Sequence, residues 1–248
     1  MNEQLSWQRL AALLRNDLAR TARSALLVTG TAALVALVVS LSGAYDGDVG
    51  QTALFYRAFF IAALFAWGTI ATSVCFADMH GRSTNTAFLM LPASALEKTL
   101  SRLLLHTVGL VAYLLVFTMV LSWVLESVNV LWIGERRAFF SPLDELAWTL
   151  VPHFIVAQGL FFLGAAWFRK VHFVKTVGAV VAIVAGLVAF AVLVAWLLGP
   201  RGTGGFFIDD PVDWIVEVAP WTYYAALPLV CWFVAWLRVT ETQVSHGV

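Results

Sequence analysis

Few side chains in this chain have the type and spacing that reactions need. The five histidines, His80, His106, His153, His172 and His246, form no His-x-x-x-His pair, and Cys75 and Cys231 form no Cys-x-x-Cys, so metal-ligand spacing is absent. Two cysteines in long apolar runs build no disulfide framework. A phosphate-cradling Walker A loop needs Gly-Lys followed by Ser or Thr, and none of Lys98, Lys170 and Lys175 follows a glycine. The stretch Gly199-Pro200-Arg201-Gly202-Thr203-Gly204-Gly205 therefore reads as a breaker-rich loop. No apolar run carries paired carboxylates or a nucleophile with its base, which disfavours a membrane-embedded enzyme. What remains is polar contact. His153 and Gln158 follow Pro152 in an apolar stretch, and Met79-His80-Gly81-Arg82-Ser83-Thr84-Asn85-Thr86 runs up to Phe88.

The elements that must position these groups follow from composition. Of 248 residues, 61% are hydrophobic and 12% charged, with a mean hydropathy of +0.85. Soluble domains are about 45–50% apolar and about 25% charged, so a water-soluble enzyme is excluded. Disorder is excluded too, since it needs low hydrophobicity and high charge. A formal net charge of zero offers no basic surface for nucleic acid. The fold class is an all-α polytopic membrane protein, with the lipid bilayer as its first partner.

A membrane helix needs about 20 mostly apolar residues. Six stretches qualify: Ser24–Ala44, Ala58–Phe76, Leu104–Val124, Leu146–Phe168, Val177–Leu198 and Trp221–Leu237. These continuous runs are unlike the short alternating segments of a transmembrane barrel. Six spans put both termini on one side. With the N-terminus inside, only Arg57, Arg136, Arg137 and Arg201 of the 15 Lys and Arg lie outside, so the positive-inside rule places both termini in the cytoplasm. Trp123, Trp148, Trp167, Trp196, Trp221 and Trp236 fall near span ends, as interfacial anchors do. The expected location is the cell (inner) membrane, multi-pass. The cores hold no Asp, Glu, Lys or Arg well away from their ends, which disfavours an ion-coupled carrier and favours an amphiphilic or apolar cargo. His153 and Gln158 are the candidate polar groups of a pathway, with hydrogen bonding between helices as their alternative use.

Residues 1–23 read as a cytoplasmic amphipathic interfacial helix, and residues 24–248 as the six-helix domain. Trp7, Leu10, Ala11, Leu14 and Leu18 share one face, with Arg9, Asn16, Arg20 and Arg23 opposite. The first apolar run, about 20 residues, is too long for a signal-peptide core of about 7–15. Between spans five and six, Asp210 and Pro211 start a short outer helix carrying Asp213 and Glu217.

Residues 77–103 carry the most information. The polar run from Met79 to Thr86 leads to apolar Ala87-Phe88-Leu89-Met90-Leu91, and Pro92 stops that element. Ser94 and Glu97 are spaced as a capping box that starts the next helix. Lys98 and Arg102, one turn apart ahead of span three, are placed to reach lipid phosphates.

This layout resembles the permease subunits of type-2 ABC transporters, the exporter-like class with six spans per subunit. Gly81 and Thr84 look like the glycine and hydroxyl part of that family's coupling helix. Phe88-Leu89-Met90-Leu91-Pro92-Ala93-Ser94 resembles its Leu-rich-to-Pro-Ser part, and Arg102 the cation that follows. The motif covers about 30 residues, and the six-span layout extends the likeness along the chain. This sequence departs from the family's usual acidic residue and adjacent Gly-Thr pair: His80 precedes Gly81, and Arg82-Ser83 intervene before Thr84.

The resemblance implies a permease that binds no cofactor and hydrolyses no ATP itself. ATP and Mg would sit on separate cytoplasmic ABC ATPase subunits docked on Met79, His80, Gly81, Arg82, Ser83, Thr84, Asn85, Thr86 and Phe88. A second permease copy or paralogue would complete the path. The alternative is a membrane scaffold or sensor subunit that binds partners and moves nothing.

Overall fold

The computed structural model describes residues 5–41, 49–81, 84–133, 138–142, 145–198 and 218–245. Among them every regular element is helical, and no strand forms. The long helices are α1 (Trp7–Leu41), α2 (Val49–Ser73), α6 (Leu110–Ile133), α7 (Glu145–Trp167), α8 (His172–Leu198) and α9 (Leu227–Ser245). Three short ones, α3 (Ala77–His80), α4 (Asn85–Met90) and α5 (Ala95–Leu104), lie between α2 and α6. Six helical stretches are long and apolar enough to cross a membrane: Trp7–Ser40, Thr52–His80, Ala95–Leu131, Glu145–Trp167, His172–Val194 and Val218–Gln243. The chain is therefore an all-α protein of multi-pass membrane type. The segment expected to form an outer helix around Asp210–Glu217 lies outside the described residues.

α1 runs unbroken for 35 residues, about 52 Å at 1.5 Å per residue. Neither Gly nor Pro occurs between Trp7 and Gly30, so nothing separates the amphipathic stretch from the span at residue 23. Its two faces divide differently from the simple helical wheel. Leu10 and Leu13 are buried against the protein, whereas Trp7 and Leu18 remain 74% and 56% exposed. One apolar stripe thus packs towards α5, and the stripe beside it is left for the surroundings.

Packing inside a bilayer lacks a hydrophobic drive between helices and relies on close contact and hydrogen bonds. Tyr56, Phe60, Leu64, Leu114, Leu125 and Phe154 form the heart of one cluster, joining α2, α6 and α7. Gly68 lets the Phe154 ring approach so closely that a Cβ there would lie 2.5 Å from it. A second cluster, at the other end, gathers Phe76, Met79, Phe88, Phe162, Ala235 and Val239. α8 touches α7 and α2 but is otherwise exposed along its length.

Two wide π turns interrupt the helices, at Leu105–Gly109 between α5 and α6 and at Thr222–Ala226 before α9. The second has a local cause. Pro228 has no N–H for the Tyr224 carbonyl, and its ring crowds that oxygen.

The helices also outrun the apolar stretches read from sequence. α6 continues past Val124 to Ile133 and carries Glu126, only 1% exposed, which accepts a hydrogen bond from Tyr56 Oη at 2.9 Å. Ser40 Oγ donates to Asn129 Oδ1 at 3.2 Å one turn further along. Buried polar groups of α1, α2 and α6 thus meet at the end of the bundle away from α3–α5.

Candidate functional site

The segment from Ala77 to Leu104 is built by local rules. Ser94 caps α5: its Oγ accepts the Glu97 N–H at 3.2 Å, and Glu97 Oε2 accepts the Ser94 N–H at 2.9 Å. The expected capping box is formed. Its carboxylate does more than cap, because Glu97 is fully buried and its Oε1 also accepts from the Ser6 N–H at 2.9 Å and from Arg9 Nε at 3.1 Å. Burial of a carboxylate is costly unless it is hydrogen-bonded, and these donors supply its partners. Ser101 Oγ donates to Asp17 at 2.8 Å, so α5 is tied twice to the start of α1.

Lys98 and Arg102 do not reach outwards to lipid phosphates as expected. They are only 3% and 6% exposed and turn into the protein. The cause is the face they share. Their side of α5 meets the Phe76 and Phe88 rings and the carbonyls freed where α2 and α4 end. Lys98 Nζ donates to the Phe88 carbonyl at 2.9 Å and lies 4.9 Å from that ring's centre. Arg102 donates to the Cys75 carbonyl, packs against the Phe76 and Phe88 rings, and lies 3.6 Å from Asp78. Asp78 also pairs with Arg20 of α1 at 3.4 Å.

The residues singled out in the sequence gather in α3, α4 and the turn between them. Met79 is buried, and its sulfur accepts from Thr242 Oγ1 of α9 at 3.3 Å. His80 Nε2 lies 3.1 Å from the Ala165 carbonyl of α7. Gly81 is needed for close approach: a Cβ there would fall 2.3 Å from Thr84 Oγ1, which donates to the Asp78 carbonyl at 2.9 Å. That bond ties the start of α4 to α3. Arg82 and Ser83 lie outside the described residues. α4 follows with Asn85 half-buried and Thr86 exposed, and Phe88 is only 2% exposed beneath Lys98 and Arg102. Of the named residues, Thr84 and Thr86 face outwards, joined by Ala87 and by Met90 at 77% exposure. A cavity of about 180 Å³ opens between α1 and this segment, lined by Arg20, Asp78, Thr84, Ala87, Phe88 and Leu91.

His153 and Gln158 have separate surroundings. His153 Nε2 lies 2.9 Å from Tyr224 Oη on the π turn, and Tyr223 packs beside the pair, edge-on to Tyr224. Gln158 is fully buried; its Oε1 accepts from Trp232 Nε1 of α9 at 3.0 Å, and its Nε2 has no partner among the described residues. Gln158 joins α7 to α9, while His153 faces a partly open aromatic patch.

Sequence reasoning passed over Asp78 and Glu126, and put Arg20 on the polar face of the first helix without its partner. Asp78 and Arg20 sit on elements 58 residues apart, and no local pattern links them. Glu126 gave a fainter signal: it stands three residues before Asn129 at the end of an apolar run, a spacing that puts both on one face. Among the described residues, no three His, Cys, Asp or Glu side chains come together to hold a metal ion. No family model, curated protein or solved structure matches the chain.

Proposed function

We propose that this chain is the transmembrane permease subunit of an ATP-driven export system of the type-2 ABC class. Both termini lie in the cytoplasm, the chain crosses the cell (inner) membrane, and α3–α4 is the docking site of a separate ATPase. The single observation that carries this reading is the construction of that segment. Two short helices, folded at Gly81 and stopped before Pro92, are clamped from behind by buried charges and present a small outer face of Thr84, Thr86, Ala87 and Met90.

Such a segment suits a lever. A displacement at Thr86 or Met90 passes through the Phe88 carbonyl to Lys98, and through Asp78 and the Cys75 carbonyl to Arg102. Both cations belong to α5, which leads into α6. Asp17 and Arg9 carry the same motion to α1. ATP and Mg belong to the partner, whose closure supplies the force, and a second permease copy or paralogue completes the path. Within that path, His153 with Tyr224 is the polar contact offered to cargo, and Gln158 holds α7 to α9.

Co-purification in mild detergent, with the proteins encoded beside this chain present, tests the reading. A Walker-motif ATPase is expected in stoichiometric amount, and it is lost when Gly81–Thr86 is replaced by an unrelated polar linker. If no ATPase is retained, the non-transporting scaffold or sensor becomes the reading to pursue.

A further inference from the structure

The corner where α3, the α7–α8 turn and α9 meet holds more positive charge than its neighbours balance. Phe168–Val171 form the turn. Val171 has φ of 55°, a conformation that β-branched side chains rarely adopt. It has no polar side chain to cap α8, and the first turn of that 27-residue helix contains no acid. The positive end of the helix dipole is met instead by cations. Arg169 and Lys170 are exposed in the turn, and Lys175 Nζ lies 6.0 Å over the Phe168 ring. His172 stacks on His80 with ring centres 5.4 Å apart, and the Arg238 guanidinium sits 5.2 Å over Trp167. Buried His172 Nδ1 and Arg238 Nε have no hydrogen-bond partner among the described residues.

Of the described acids at this end, three are engaged elsewhere and one, Glu241, answers a single cation of the corner. Asp17 accepts from Ser101, Asp78 pairs with Arg20 and Arg102, and Glu97 accepts from Ser6, Arg9 and Ser94. Glu241, 65% exposed, is bonded to Arg238 at 2.8 Å. Like charges gathered at a helix N-terminus repel one another, and an anion bound among them relieves that cost.

We propose that this corner binds the phosphate of an anionic phospholipid headgroup. A lipid is preferred to a free anion because the charges open directly onto an apolar track. Trp167, Val171, Val174 and Val181 are 55%, 62%, 62% and 61% exposed and lead from the turn along α8, where an acyl chain lies. The inference rests on the membrane orientation proposed above, which places the turn at the cytoplasmic surface, and is independent of transport. His80 belongs to the docking segment, so a bound headgroup ties α3 to the α7–α8 turn and to α9.

The test is thermal unfolding of the full chain in nanodiscs of phosphatidylcholine, with and without phosphatidylglycerol. The lipid is expected to raise the wild-type Tm. The double variant Arg169→Gln/Lys170→Gln is expected to lose at least about half of that rise, and the charge-matched control Arg15→Gln/Arg23→Gln to keep it. An equal rise in the site variant overturns the proposal, as does an equal loss in the control, which would mean diffuse surface attraction. A comparable rise from inorganic phosphate in phosphatidylcholine discs also overturns it, because the site would then take a free anion. If the double variant does not fold, Lys170→Gln alone, at an exposed position, is read against the same control. Labelling of Lys170→Cys from outside sealed cells reports separately on orientation, and its success there would overturn the premise rather than the site.

Discussion

Lys98 and Phe88 are joined twice: the ammonium donates to the Phe88 carbonyl at 2.9 Å and lies 4.9 Å from the centre of the same residue's ring. The contact bridges the end of α4 and the first turn of α5 across Pro92, at the point where the chain changes direction. A charge is costly to bury and costlier still to leave buried without its partner. The pair therefore sets how stiffly α4 follows α5. Lys98→Met leaves the Phe88 carbonyl without that donor, a loss of about 1–3 kcal/mol, partly offset by no longer burying a cation. Faster amide hydrogen exchange across Asn85–Leu91, with insertion unchanged, is the expected outcome.

Glu97 closes the capping box and holds the start of α1. Glu97→Ala removes the acceptor for Ser6, Arg9 and Ser94 together and is expected to cost about 2–4 kcal/mol. Ser94→Ala, which removes only the cap, is expected to cost about 1 kcal/mol. Limited proteolysis within the first two turns of α1 separates the two: cleavage rises sharply in the glutamate variant and little in the serine variant.

The capping box was legible in the sequence because Ser-x-x-Glu before an apolar run is a local signal. The six long helices were legible because hydropathy alone selects them. The inward turn of Lys98 and Arg102 was not: a spacing of four puts them on one face but does not say what that face meets. His153 and Gln158 were equally polar in sequence, and only the packing of α9 separates them, closing Gln158 against Trp232 and leaving His153 beside Tyr224. The bond from Tyr56 to Glu126 joins positions 70 residues apart and belongs to tertiary packing alone. The continuity of α1 through residue 23 was present as an absence of breakers, a weaker signal than the change in amphipathicity.

Tyr56→Phe removes a donor from a carboxylate that is 1% exposed, and a cost of about 1.5–3 kcal/mol is expected. A double-mutant cycle with Glu126→Gln, measured by reversible unfolding in detergent, is expected to give a coupling of about 0.5–3 kcal/mol. Additive losses would mean that the bond contributes nothing to holding α2 against α6.

Gly81→Ala puts a methyl where Thr84 Oγ1 stands, and the hydroxyl must leave the Asp78 carbonyl. The single variant is expected to loosen the α3–α4 turn, read as faster exchange at Asn85 and Thr86. Adding Thr84→Ala removes the clashing oxygen, so the double variant is expected to be less impaired than the two single losses combined.

The most direct test of the docking role is site-specific photo-crosslinking in cells, with a benzoylphenylalanine at Thr86, at Met90 or, as a control, at Leu131, which is 88% exposed at the opposite end of α6. The account predicts adducts of Thr86 and Met90 with a Walker-motif ATPase, and none from Leu131. Absence of any ATPase adduct from both docking positions, or equal adducts from Leu131, would contradict it.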